Sequence, residues 1–303
     1  MSNLILLFLC LILGVVLRKT KLFPEDGHLA LNSFVINISL SALALFYIPK
    51  INLDASVIFP VSIAWMNIGL AWLFFHFLGK KLGWSNALIG AVIMCAGFGN
   101  TSFVGIPVIH ALYGEEGIKT VILVDQPGSF VALSTAGIAV ANFYSGQHSS
   151  TLNILKKIIR FPPFLALSLA VLLNIFQIQI HEELDLVLSK LGATTVPLAL
   201  VSVGSQLRME KPRKYSKPLL LGLLFKLILF PLIIFLLYFI LLKQSGDTVE
   251  ISLMEAAMAP MITAAIIASA HNLEPKLCNL FIGIGIPVSF ITLMIWYGVL
   301  NYF

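Results

Sequence analysis

Apolar positions along the chain come in long unbroken runs, separated by short polar stretches. A run of about 17–25 apolar residues is long enough to cross a bilayer as a helix. Ten such runs are read, at roughly 2–17, 29–48, 57–78, 87–112, 120–143, 161–180, 186–207, 218–242, 251–271 and 278–301. Every connection is short, which leaves no room for a soluble domain. The first run lacks a basic start and a small-residue cleavage site, so it reads as a span and not as a removed signal.

Composition agrees with lipid as the solvent. The 303 residues are 59% hydrophobic and 11% charged, whereas a soluble domain carries about 25% charged residues. The net charge of +5 is no nucleic-acid footprint, because the basic residues sit in small clusters between apolar runs. Those clusters follow alternate spans: RKTK after the first, GKK after the third, KKIIR after the fifth, RMEKPRKYSK after the seventh and Lys276 after the ninth. They hold fourteen of the 19 Lys and Arg. The positive-inside rule places them in the cytoplasm, so both termini are expected outside it, in a multi-pass membrane protein. Cys10, Cys95 and Cys278 lie inside apolar runs without metal-ligand spacing and read as small core residues.

Short segments recur at a nearly constant offset. P-G-S-F-V-A-L (127–133) is echoed by P-V-S-F-I-T-L (287–293), 160 residues on. L-A-L (43–45) recurs at 198–200, and G-I-P-V-I (105–109) is echoed by M-A-P-M-I (258–262), at offsets of 155 and 153. This predicts an all-α membrane protein of two five-helix repeats, 1–145 and 151–303. Five is odd, so the repeats have opposite topology, a device of secondary transporters.

The fourth run is interrupted by G-F-G-N-T-S-F-V-G-I-P (97–107). Gly97 and Gly99 suit the end of one half-helix, and Asn100, Thr101 and Ser102 are residue types that cap the start of another. A break in hydrocarbon survives only beside protein or a water-filled cavity. The ninth run repeats the device at Pro260, which fits the first turn of a new half-helix. Two half-helix N-termini meeting at mid-membrane make an anion site.

N-T-S-F-V-G-I-P-V-I-H-A-L-Y-G (100–114) resembles the fourth span of the plant PIN auxin carriers. E-A-A-M-A-P (255–260) and K-L-I-L-F-P (226–231) resemble their ninth and eighth. The whole chain is similar to the auxin efflux carrier family in a compact bacterial form. The resemblance implies a scaffold of spans 1, 2, 6 and 7, a mobile transport domain of spans 3–5 and 8–10, an elevator movement and a homodimer joined through the scaffold. It implies that Asn100 touches a substrate carboxylate, and bacterial members are linked to dicarboxylates such as malate and malonate. The chain departs from the family pattern at Gly99, where a proline is usual, at Pro260, one position late, and at L-S-A-L (40–43).

The substrate-binding candidates are therefore Asn100, Thr101, Ser102, Pro260, Thr263 and Lys226, and the crossover or hinge candidates are Gly97, Gly99, Pro107 and Pro260. Charge inside a span is costly and points to function. Glu255 and Asp125 are the candidates for a coupling proton or sodium ion, though both are read as shallow, and interface snorkelling stays open for Glu255. Lys226, deeper in span eight, pairs with one of these carboxylates, serves the substrate, or snorkels to the cytoplasmic face. His76 and His110, near span ends, read as interfacial. No triad, metal-ligand or phosphate-loop pattern occurs, so an enzyme, a metal or an organic cofactor is not expected. The expectation is a carrier of a small organic anion, with a ligand-binding membrane sensor of the same fold as the alternative.

Overall fold

The computed structural model describes residues 2–20, 23–24, 26–51, 54–146, 160–207 and 213–302. The boundary between the two expected repeats and much of the basic clusters at 156–160 and 208–217 lie outside the described residues. Among the described residues the chain is all-helical: seven helices are long and apolar enough to cross a membrane.

In chain order α1 is Ser2–Lys19, α2 Gly27–Lys50, α3 Ala55–Lys81 and α4 Asn86–Ala96. Residues 101–113 form α5 and residues 115–145 form α6. Then come α7 (Pro162–Ile175), α8 (Glu182–Gln206), α9 (Ser216–Leu241), α10 (Asp247–Ala256), α11 (Ile262–Ala270) and α12 (Pro275–Leu300). Helices α5 and α6 run on through Gly114, whose φ of 74° and ψ of −163° lie outside helical geometry. A straight helix of 45 residues would be about 65 Å long, twice the thickness of the hydrocarbon core. The turn at Gly114 is what lets both segments stay within it.

Two connections are shorter than the sequence pattern implies. Glu115 and Glu116, expected in a loop, belong to the first turn of α6, and Asp247 and Glu250 to the first turn of α10. Carboxylates are favourable there, because the first turn of a helix carries unpaired N–H groups and a partial positive charge. In the sixth run the helix stops at Ile175 and the chain turns through Gln177 at φ 53°. That run therefore supplies a shorter helix than expected.

Packing follows two sets of neighbours. Helix α1 lies along α8, and α2 lies against both α7 and α8. In the other set α3 packs on α4, α6 and α10, while α4 also meets α9, α11 and α12. Contacts between the sets run mainly from α5 to α1 and α8. Outward-facing positions are apolar, as lipid requires: Phe77, Phe143, Leu165, Leu220 and Ile291 are all exposed. The buried interior instead carries Asn67, Asn100, Asp125, Gln126, Lys226 and Glu255. Cys10, Cys95 and Cys278 are free and buried, as expected of small core residues.

The α1–α8 crossing is closed by two glycines. A Cβ on Gly14 would lie 2.2 Å from the Val201 carbonyl oxygen, and one on Gly204 would lie 2.2 Å from that of Leu11. Small residues at a membrane crossing let backbones touch and gain dispersion energy. Gly14→Val or Gly204→Val is expected to force the helices apart at a cost of about 1–3 kcal/mol, and the pair to cost less than the sum because both act on one crossing. Melting temperatures of the purified variants in detergent check this, with Gly69→Ala, which meets open space, as the variant that should not shift.

Candidate functional site

Helix α4 ends where Gly97 donates its N–H to the Ile93 carbonyl at 2.7 Å. Phe98, Gly99 and Asn100 then leave helical geometry. The second break, between α10 and α11, lies beside them. Asn100 N–H donates to the Ala259 carbonyl at 2.7 Å, and Met261 N–H to the Phe98 carbonyl at 3.1 Å. Gly99 and Pro260 are thereby paired as a single antiparallel bridge. Each break supplies partners that the other lacks, which meets the demand for backbone satisfaction away from water. Pro260 does not start a half-helix, as its type suggested. It lies in the bridge, ahead of the Met261 cap and the first helical residue, Ile262. Its missing N–H costs nothing there, because the two bridge bonds use the N–H groups of Asn100 and Met261.

Asn100 caps α5: its Oδ1 accepts from Phe103 N–H at 3.1 Å, while its Nδ2 is buried without a partner. The first turn of α5 is wide, with Gly105 N–H reaching back five residues to the Asn100 carbonyl at 2.9 Å. Widened turns recur at Val124–Phe130 and Phe225–Leu229. Such turns gather at functional sites because they re-aim side chains, and these three hold Thr101, Ser102, Asp125 and Lys226.

Asp125 is not shallow. It is 5% exposed, and its Oδ1 accepts from both Thr101 Oγ1 and Ser102 Oγ at 2.6 Å. Thr101 Oγ1 also lies 3.3 Å from Ser129 Oγ. Glu255 sits in the last turn of α10 and is 0% exposed, so it does not snorkel. Both its carboxylate oxygens lack a hydrogen-bond partner. They press on Gly105, where a Cβ would come within 2.5 Å of Oε1. Lys226 is also 0% exposed, and its Nζ donates to the Ala256 carbonyl at 2.6 Å. The expected ion pair with Glu255 or Asp125 is not formed. Among the described residues the ion pairs are Lys50–Asp185 and Lys119–Glu116, both outside this cluster. The ammonium binds a main-chain oxygen at the end of α10 instead, where the helix dipole is negative. It also lies close to the α4 break: a Cβ on Gly99 would be 3.2 Å from Nζ.

Thus Asn100, Thr101, Ser102, Asp125, Lys226, Glu255, Gly99 and Pro260 converge on one crossing. Pro107 lies further along α5, Gly97 closes α4, and Thr263 is half-buried at the second position of α11. A cavity of about 350 Å³ runs between the two sets of helices. Arg18, His28, Ser205 and Gln206 line one side, and Ile262, Ser269 and Asn279 are among those on the other.

The profile of the membrane transport protein family matches residues 1–297. The chain belongs to that family. It is the auxin efflux carrier group, whose motifs residues 100–114 resemble. The membrane transport protein is 24% identical to an uncharacterized transporter of Methanothermobacter thermautotrophicus, over 95% of this chain and 94% of that one. It is 25% identical to an uncharacterized transporter of Methanocaldococcus jannaschii, over 98% and 97%. It is 22% identical to the uncharacterized transporter YfdV of Escherichia coli K12, over 97% and 96%.

Sequence reasoning missed Gln126 and Ser129 in this membrane transport protein, and the polar residues of the cavity. Gln126 is 2% exposed and its Nε2 donates to the Leu40 carbonyl of α2 at 3.0 Å, across the two helix sets. A glutamine beside an aspartate in an apolar run was the available signal.

Asp125→Leu would leave the Thr101 and Ser102 hydroxyls without their acceptor, at an expected cost of about 1–3 kcal/mol for each orphaned group. Adding Thr101→Val and Ser102→Ala should recover most of that loss, since removing both sides of a hydrogen bond is nearly neutral. Thermal melts of the single and triple variants test it; a triple variant no more stable than Asp125→Leu would show that the hydroxyls are satisfied elsewhere.

Proposed function

We propose that the protein is a secondary carrier of a small organic anion. The substrate is read as a carboxylate such as malate, malonate or an auxin-like acid. The observation that carries this reading is the mutual pairing of two broken helices. It leaves the first turns of α5 and α11 facing the crossing, with the unpartnered Asn100 Nδ2 among them. Helix N-termini and an amide donor receive a carboxylate without a fixed metal. The cavity supports the same reading: it holds the cationic Arg18 and reaches Ile262, the first residue of α11.

The carrier is read as ten spans in two inverted repeats, α4–α5 and α10–α11 each counting as one broken span. Helices α1, α2, α7 and α8 form the scaffold and dimer contact, and the other helices form the transport domain that slides past it. The grouping of helix contacts supports this division. Both termini lie outside the cytoplasm, and the cavity, lined by Arg18 near the end of α1 and by Ser205 and Gln206 at the end of α8, opens inward.

Purified protein in liposomes is expected to exchange labelled malate or malonate against the same unlabelled acid inside. Asn100→Ala should abolish the exchange while the melting temperature falls by no more than the loss of a cap, about 1 kcal/mol. Exchange at wild-type rate in Asn100→Ala would place the site elsewhere, and failure across a panel of mono- and dicarboxylates would overturn the substrate class.

A further inference from the structure

The reading of a carrier leaves open which ion it exchanges with its substrate. We propose that this ion is a proton held on Glu255. The inference rests on the proposed carrier function, yet the test below does not depend on a transported substrate.

Glu255 is wholly buried and neither carboxylate oxygen has a partner. A buried carboxylate in that condition is among the most costly groups a protein can hold, so something must compensate it. The compensation is either a proton or a bound cation.

The surroundings favour a proton over a metal cation. A hard cation needs several oxygens converging on it. Here the Ala256 carbonyl is taken by Lys226 Nζ at 2.6 Å. Thr101 and Ser102 turn their hydroxyl hydrogens toward Asp125. The Glu255 oxygens face the α-carbon of Gly105, where even a methyl group would not fit. On that side the carboxylate meets carbon, which suits a proton and not a metal ion.

The charges also balance with one proton. The charged groups acting on Glu255 are Asp125 of α6 and Lys226 of α9; α3, α5 and α12, which also pack on α10, bring none to it. Lys226 and Asp125 offset each other, and Asp125 has two hydroxyl donors of its own. Glu255 alone stays uncompensated, and protonation makes the cluster neutral. In each cycle its carboxylate takes a proton from water on one face and returns it to water on the other, with only an O–H bond formed and broken. Sequence reasoning offered both Glu255 and Asp125 as candidates; their hydrogen-bond partners separate them.

Infrared spectra of the protein in liposomes at neutral pH test the site. A deuterium-sensitive band of a protonated carboxyl group is expected in wild type, lost in Glu255→Gln and retained in Asp125→Asn. Melting temperatures in sodium chloride and choline chloride should coincide for wild type. A band that survives Glu255→Gln overturns the proton site. Stabilisation of wild type by sodium, abolished in Glu255→Gln, overturns it in favour of a metal cation. A band lost in Glu255→Gln together with failed carboxylate exchange would uphold the proton site and overturn only the substrate class.

Discussion

Two main-chain hydrogen bonds, from Asn100 to Ala259 and from Met261 to Phe98, allow the chain to leave helical geometry twice inside an apolar bundle. Away from water an unpaired N–H or C=O costs several kcal/mol, so neither break could persist alone. Brought side by side they satisfy each other. The polar cluster depends on this arrangement. Only where the helices open do Asn100, Thr101 and Ser102 face inward, and only there does the end of α10 present a carbonyl to Lys226.

The cluster holds three ionisable side chains from three helices with almost no exposure. Such groups do not serve stability, since well-packed apolar residues of similar volume would be as good or better. They are anchored in different ways. Asp125 is held by side-chain hydroxyls, Lys226 by a helix end, and Glu255 by packing against a glycine. The same low polarity that makes these groups expensive also strengthens every interaction they make.

Much of this arrangement could be read from the residues. The first break was legible because two glycines precede an Asn-Thr-Ser run, and those residue types have a specific use at helix ends. The depth of Asp125 and Glu255 was not. Both helices begin earlier than their apolar runs, since Glu115 and Glu116 on α6 and Asp247 and Glu250 on α10 are polar residues inside first turns. Counting from the first apolar residue therefore placed both acids too near the surface. The partner of Lys226 was hidden for another reason: every residue has a carbonyl, so pairing by side-chain type cannot find a main-chain acceptor. Pro260 misled because its fixed φ suits a first helical turn and an extended bridge next to one about equally.

A join made by main-chain atoms is indifferent to side-chain identity. The Gly99–Pro260 bridge asks of its neighbours only a backbone N–H at positions 100 and 261 and a carbonyl at 98 and 259. Side chains around the crossing can be exchanged without dissolving the frame that holds them. Over evolutionary time the selectivity of such a centre can drift while its architecture stays fixed, as expected where relatives about a quarter identical still align from end to end.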